Sequence, residues 1–217
     1  MPVVIEKIES KTLREKVYEQ LRHKIIYGDL PPGQKVTLRS LAEQFGVSFI
    51  PVREALWQLE TEKVILIERN KFIRVNTLTP SEMEEALSIR LLLEAKVAER
   101  ACEIQPPDLV HRLRVLASEM EASIRSPRDY LIKNSEFHFS IYTAADMPLH
   151  HQVINQLWAR IGPYLFIHAK ETKMLTQTVE LHHAMLAALA KRDKRGLVHA
   201  LQQDLRDAAR VILPYLH

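Results

Sequence analysis

The run VYEQLRHKIIYGDLPPGQKVTLRSLAEQFGVSFIPVREALWQLE, from Val17 to Glu60, reads as three short helices separated by turns. Leu13, Val17, Leu21 and Ile25 recur at helical spacing between Lys11 and Tyr27, and Gly28 then offers the left-handed conformation that ends such a helix. Pro31-Pro32-Gly33 forces a turn. Thr37 is placed to cap a second helix carrying Leu38, Leu41, Ala42 and Phe45, with Gly46 as its stop. Ser48 is placed to cap a third, whose inner face is Val52, Ala55, Leu56 and Leu59 and whose first turn tolerates Pro51. Two β-rich pieces follow, Val64–Ile67 and Phe72–Val75, joined by the polar tip Glu68-Arg69-Asn70-Lys71. Three short helices and then a charged hairpin are, by order alone, a winged helix-turn-helix.

Thr77-Leu78-Thr79-Pro80 marks a short, ordered boundary, which gives a winged helix-turn-helix domain over 1–76 and a second domain over 77–217. In the second, prolines stand between helical segments rather than inside them: Pro80, Pro106-Pro107, Pro127, Pro148 and Pro163. The pattern predicts six helices near 80–103, 107–124, 127–146, 148–169, 173–191 and 194–216, with Gly162-Pro163 a kink or an end. The expected fold class is therefore mainly α, a winged head followed by an all-helical bundle.

Composition narrows the function. With 47% hydrophobic and 26% charged residues among 217, neither a disordered nor a collagen-like chain is possible. Only 5 Gly are present and neither GxGxxG nor GxxxxGK(S/T) occurs, which disfavours a glycine-cradled nucleotide site. Cys102 alone cannot close an internal disulfide, and no apolar run approaches a membrane span, so a cytoplasmic protein with no membrane partner is expected. The net charge of +3 is unevenly spread: residues 1–76 hold 13 Lys+Arg against 10 Asp+Glu, and residues 77–217 hold 17 against 17. Nine of the 10 histidines lie beyond residue 77. A basic head and a neutral, histidine-rich body point to two different tasks.

In the head, Val47-Ser48 with Arg53 downstream puts a polar residue at a helix N-terminus and an arginine on its outward face, the arrangement by which recognition helices meet base edges in the major groove. Arg39, Arg69 and Lys71 lie where phosphates or the minor groove would be, although each alone reads equally as part of a solvated charged face. Val17 to Glu60 closely resembles the N-terminal domain of GntR-type transcriptional regulators, a family that dimerises and binds short imperfect palindromes in double-stranded DNA. By position, the resemblance implies DNA contacts from Arg39, Ser48, Phe49, Ile50, Arg53 and the wing tip at Arg69, Asn70 and Lys71. Two departures stand out. Phe49 replaces the family's usual arginine after the capping Ser/Thr, and so replaces a bidentate guanine contact worth about 1–3 kcal/mol of discrimination with contact to a thymine methyl at most. Asn70-Lys71 replaces the usual wing glycine, and Asn tolerates the positive φ that the turn needs.

In the body, polar residues interrupt stripes that should be apolar. Arg90 and Glu94 fall on the face of Met83, Leu87, Val97 and Ala101; Asn134 and His138 on that of Leu131 and Ile141; His182 on that of Leu175, Val179, Leu186 and Leu189; Asp204 on that of Leu197, Leu201, Ala208 and Val211. An unpartnered buried polar group costs about 1–3 kcal/mol, so one on each of several helices suggests that they meet. Asn134, His138, His182 and Asp204 would suit a borderline divalent ion such as Zn²⁺ or Ni²⁺, while a single inward histidine reads more often as a satisfied core residue than as a ligand. Residues from about 80 onward resemble the FCD effector domain of the FadR subfamily, carried by Arg90-Leu-Leu-Leu-Glu94, by Asn134-x-x-Phe137-His138, by His182 with Met185, Ala188 and Asp193, and by a polar residue at 204. Metal-binding members of that family use Asp, His, His and His. Asn134 and Asp204 are therefore departures that keep the net ligand charge and favour a weaker site or a harder ion such as Mn²⁺. The resemblance further implies a small organic acid as effector, with Arg90 a candidate for its carboxylate beside Glu94. The other reading of Arg90 and Glu94 is a purely structural buried pair.

The leading function is a dimeric, ligand-responsive DNA-binding regulator rather than an enzyme, with 1–76 as its DNA-binding domain and 77–217 as its all-helical effector-binding and dimerisation domain. The alternatives are a metal-dependent enzyme with a bundle-borne site and an appended DNA-binding head, and a structural DNA binder with a vestigial pocket.

Overall fold

The computed structural model describes residues 12–68, 72–170 and 172–216, so the wing-tip residues Arg69, Asn70 and Lys71 lie outside the described residues. The head runs α1 (Leu13–Ile26), β1 (Lys35–Thr37), α2 (Leu38–Phe45), α3 (Phe49–Thr61), β2 (Ile65–Ile67) and β3 (Phe72–Val75). Thr12 opens α1 through a capping box with Glu15, and Thr37 Oγ1 opens α2 by accepting from the Ser40 N–H at 3.1 Å. Ser48 occupies the N-cap of α3, as expected, but its hydroxyl makes no capping hydrogen bond. The strands form one antiparallel sheet in the order β1-β3-β2, with Val36 and Ile67 both opposite Ile73. Strand β1 is an addition to the two-stranded hairpin that the sequence predicts. Its alternation spans only three residues, and its partner is supplied from 36 residues or so further along the chain. The apolar faces of α1, α2 and α3 close over this sheet around Leu21, Ile25, Leu41, Val52, Leu56, Leu59, Ile65 and Ile73.

The body comprises α4 (Pro80–Ile104), α5 (Leu109–Ala122), α6 (Pro127–Ala144), α7 (Pro148–Lys170), α8 (Thr172–Ala190) and α9 (Lys194–Ile212), then a 3₁₀ turn over Leu213–Tyr215. Helix α4 packs along α9, α6 and α7, while α8 packs on α9 and α5. Two expectations need correction. Pro163 lies inside α7, which is neither broken nor ended there. A mid-helix proline costs about 3 kcal/mol, but Ile161, Tyr164 and Leu165 are buried in the body core and Ala159 in the head core, so packing on both sides holds the helix together. The last α-helix stops at Ile212 rather than 216 because Pro214 has no N–H to continue it.

Head and body are packed against each other along α1 and α7. Two glycines make the approach possible. A Cβ on Gly28 would lie 2.4 Å from the Phe166 ring, and one on Gly162 would lie 2.7 Å from Ile26 Cγ2. Gly28 also has φ +84, so the residue that ends α1 is at the same time the seat for a ring from α7. Around this contact Arg22 Nη2 donates to the Asn155 backbone and side-chain oxygens at 2.8 Å each, and Tyr27 donates to Ser135 Oγ at 3.2 Å. The connecting segment is ordered: Leu78 is buried, and its N–H donates to the Tyr164 hydroxyl at 2.7 Å.

Candidate functional site

The polar residues of interest occupy two places of opposite character. On the head, Arg39, Ser48, Phe49, Ile50 and Arg53 are all exposed, at the start of α2 and in the first turn and a half of α3. Phe49 and Ile50 leave 50% and 67% of their surfaces in water, an uncommon position for two large apolar side chains in sequence. Arg39 is held by Glu43 at 2.9 Å in an exposed i, i+4 pair, a weak tether, whereas Arg53 has no ion-pair partner among the described residues. Because Ser48 leaves the first N–H groups of α3 uncapped, the positive end of that helix also faces outward. Lys35 and Arg74 both clamp Glu68 at the base of the wing, at 3.3 and 2.8 Å, and hold its carboxyl below the usual range.

In the body the inward polar residues of α4, α6, α8 and α9 converge. Arg90, Glu94, Asn134, His138, His182 and Asp204 are all buried. Arg90 binds Glu94 through Nε at 2.5 Å and Nη2 at 3.3 Å, and its guanidinium lies over the Trp158 ring at 5.0 Å. Tyr142 donates to Glu94 Oε2, which leaves its oxygen to accept from His138 Nδ1 at 3.1 Å. The Thr178 carbonyl, which can only accept, takes the His182 Nδ1 proton at 2.7 Å. Both rings therefore carry their proton on Nδ1 when neutral, so both Nε2 lone pairs point inward.

Those two Nε2 atoms are 3.2 Å apart, and Asp204 Oδ2 is 3.3 Å from that of His138. The three ligand atoms of His138, His182 and Asp204 lie within 4.8 Å of one another. Three electron-pair donors this close, out of water and with no hydrogen between them, repel unless a proton or a cation sits among them. Burial pushes the His182 imidazole down to about 4. Burial would also raise the Asp204 carboxyl, but the neighbouring imidazoles of His182 and His138 outweigh it and hold the carboxyl down at about 2. The donor set of two imidazoles and one carboxylate thus fits a divalent ion of the Zn²⁺ or Ni²⁺ type, and Asn134, from the turn of α6 before His138, lines a cavity together with His138 and Asp204.

That cavity has a volume of about 20 Å³, room for one ion or water and not for a multi-carbon acid. Its wall also includes Tyr130 and Trp158, whose hydroxyl and indole N–H are buried without an acceptor. His168 and Thr178, 3.4 Å apart, also line it. The sequence pattern did not single out His168, Tyr142 or Trp158. A signal was present: Ile154, Trp158, Ile161, Leu165 and His168 form one helical stripe on α7, hidden when Pro163 is read as a break. Of the other residues that carry the resemblance, Met185 and Ala188 are core, and Asp193 is the N-cap of α9, accepting from the Gly196 N–H at 3.0 Å. His150, His151, His183 and His199 line no part of the cavity.

Comparison with known proteins gives both halves a family. Residues 13–75 match the bacterial regulatory proteins of the gntR family, and residues 85–207 match the FCD domain. The HTH-type transcriptional regulator McbR of Escherichia coli (strain K12) is 31% identical over 205 residues, covering 92% of this chain and 92% of McbR. The gluconate operon transcriptional repressor of Bacillus subtilis (strain 168) is 29% identical over 203 residues, covering 88% of this chain and 82% of the repressor. The solved structure of E. coli McbR/YncC has a TM-score of 0.88 to this fold at 28% identity, over 95% of this chain and 99% of that one. With a winged head that leaves a helix N-terminus open to solvent and a helical body that encloses a polar cluster, the chain belongs to the GntR family of ligand-responsive, DNA-binding transcriptional regulators, in the FadR-like branch that carries an FCD domain.

Proposed function

We propose that residues 1–76 read a palindromic operator as one half of a homodimer, and that residues 77–217 hold a divalent metal and a small carboxylate effector that together adjust operator affinity. The convergence of the His138, His182 and Asp204 lone pairs carries this reading. These three residues, with Asn134 beside them, would hold the ion, which would supply a Lewis-acidic anchor for a carboxylate oxygen. The unpartnered donors of Tyr130 and Trp158, with the Arg90 guanidinium, give the acid acceptor-seeking walls. Arg90 is already engaged by Glu94 along Nε and Nη2, so a ligand would meet its Nη1 edge.

On the head, Arg53 would make the base contact, Phe49 and Ile50 would meet thymine methyls, and Arg39, Ser48 and the wing tip would position the phosphates. A cavity of about 20 Å³ must widen to admit an acid, and Trp158, Leu165 and His168 of α7 form part of its wall. The same helix seats the head through Gly162 against Ile26 and Asn155 against Arg22. Widening the cavity would therefore shift the element that carries the head, a coupling that typically changes affinity by about 5–150-fold. Relatives that are transcriptional regulators support a binding rather than a catalytic body.

Calorimetric titration of metal-stripped protein with Zn²⁺, Ni²⁺ and Mn²⁺ tests the site. Binding is expected at one ion per chain and is expected to vanish in a His138→Ala/His182→Ala double variant. Unchanged affinity in that variant would sink the assignment.

A further inference from the structure

Head and body do not close completely where they meet. A crevice of about 210 Å³ remains between α1 of the head and α6 and α7 of the body, against about 20 Å³ for the polar cavity inside the bundle. At about 30 Å³ per water, that is room for about seven waters or one compact organic molecule. Its walls are divided in character. Arg22 lines it from the head; Nη2 is spent on the two Asn155 oxygens at 2.8 Å each, but the Nε–H is buried with no acceptor. No carboxylate pairs with Arg22 among the described residues. A guanidinium is always charged, so this is a cation held between two domains without a counterion. An unmade buried donor is costly, more so on a charged group, and an acceptor arriving from outside removes the cost. Ser135, on the body side, accepts the Tyr27 hydroxyl proton at 3.2 Å and so keeps its own proton to donate. The rest of the wall is apolar: Ile26 from the head, and Phe139 and Trp158 from the body, whose rings meet edge to face at 5.3 Å.

We infer that this crevice is a second ligand site, distinct from the cavity in the bundle, and that it takes a small monocarboxylate with a compact apolar or aromatic body. One carboxylate oxygen takes the Arg22 Nε proton and the other the Ser135 hydroxyl proton, while the hydrocarbon lies against Ile26, Phe139 and Trp158. A neutral ligand would leave the Arg22 charge uncompensated, and a dianion charged at both ends would set one charge against the rings, so the walls select a molecule with a single anionic end. The arginine and the rings come from different domains. The acid therefore binds only while head and body keep this placement, and its binding favours that placement over any other. Trp158 lines both cavities, so an acid in the crevice and a ligand in the bundle press on the same ring. The site itself needs neither a metal nor an occupied bundle.

Benzoate is the probe, titrated calorimetrically into the full, metal-stripped chain, with benzamide as its neutral counterpart and acetate as the same anion without a ring. One benzoate per chain is expected, with a Kd of about 1 mM or tighter, and benzamide and acetate are each expected to bind at least about tenfold more weakly. Arg22→Gln, which keeps a donor but removes the charge, is expected to weaken benzoate by about tenfold or more. Ser135→Leu, which fills the crevice from a half-buried position on α6, is expected to abolish binding. Helix content followed by circular dichroism checks that each variant is folded; the two changes lie in different domains, so either one suffices as the test. Benzoate affinity unchanged in a folded variant of either kind would place the acid elsewhere and overturn the site. Benzamide or acetate binding as tightly as benzoate would overturn the assigned ligand class. A wild type that shows no saturation at about 10 mM benzoate would overturn the inference outright.

Discussion

In the head, Arg39, Phe49, Ile50 and Arg53 stand on the solvent side of two short helices, within 15 residues of sequence. In the body, Arg90, Glu94, His138, His182 and Asp204 come from four helices spread over 115 residues and are sealed from water. An exposed surface places few demands on the rest of the fold, so its residues can change without disturbing the packing beneath them. In a buried cluster every unmade hydrogen bond carries a cost, and each member is positioned by its neighbours. Substitutions should therefore act on binding alone in the head, and on stability and ligand response together in the body.

The largest expected effect is at Arg53. Losing a bidentate base contact costs about 1–3 kcal/mol, and a dimer loses it in both half-sites, so Arg53→Ala should abolish specific operator binding in a mobility-shift assay. Its side chain is exposed and has no ion-pair partner among the described residues, so the melting temperature should stay within the scatter of the wild type, about ±0.5 kcal/mol in stability. A marked loss of stability would break the contrast between the two regions.

A second test lies in pH. His182 is neutral in the metal-stripped fold down to about 4, against its ordinary 6.5 in the unfolded chain. Its contribution is therefore fully present above 6.5 and is lost as pH falls toward 4, because the unfolded chain takes up the proton first. The loss should reach about 3 kcal/mol at most, seen as a falling denaturation midpoint, and His182→Asn should flatten the curve over that window. A wild-type curve that is already flat would show that the His182 imidazole is not held neutral by burial.

The smallest effect is the most discriminating for coupling. In a helix, Gly→Ala ordinarily stabilises by about 1 kcal/mol. At Gly162 the new Cβ would come within 2.7 Å of the Ile26 side chain, so Gly162→Ala should instead be neutral or destabilising by about 1 kcal/mol. It should also alter how strongly metal or effector changes operator affinity, measured by fluorescence anisotropy. A plain stabilisation with unchanged coupling would show that α7 does not carry the head.

The head was almost wholly legible. Thr37, Gly46 and the apolar faces of α2 and α3 act over a few residues, and the structure departs from the reading chiefly at β1, whose pairing is long-range. The body was legible as helices and as polar interruptions of their stripes. It was not legible as a site, because whether the inward residues of α4, α6, α8 and α9 face one point depends on the rotation of each helix about its axis. Arg90 shows the limit most clearly: its sequence context allowed either a bound carboxylate or a pair with Glu94, and only the packed bundle shows Glu94 on one edge of its fork.

The sequence by itself determined the elements, the winged head, the exposed outer face of α3 and which residues of the body would turn inward. These follow from periodicity, caps and turn chemistry, all of which act within a few residues. Tertiary structure alone decided that two imidazoles and a carboxylate meet with their lone pairs inward, that Tyr142 and Thr178 set the imidazole tautomers, and that a helix running through Pro163 joins the cavity to the head. Those arrangements depend on atoms about 3 Å apart contributed by segments dozens of residues distant, and only the simultaneous packing of the whole bundle fixes such distances.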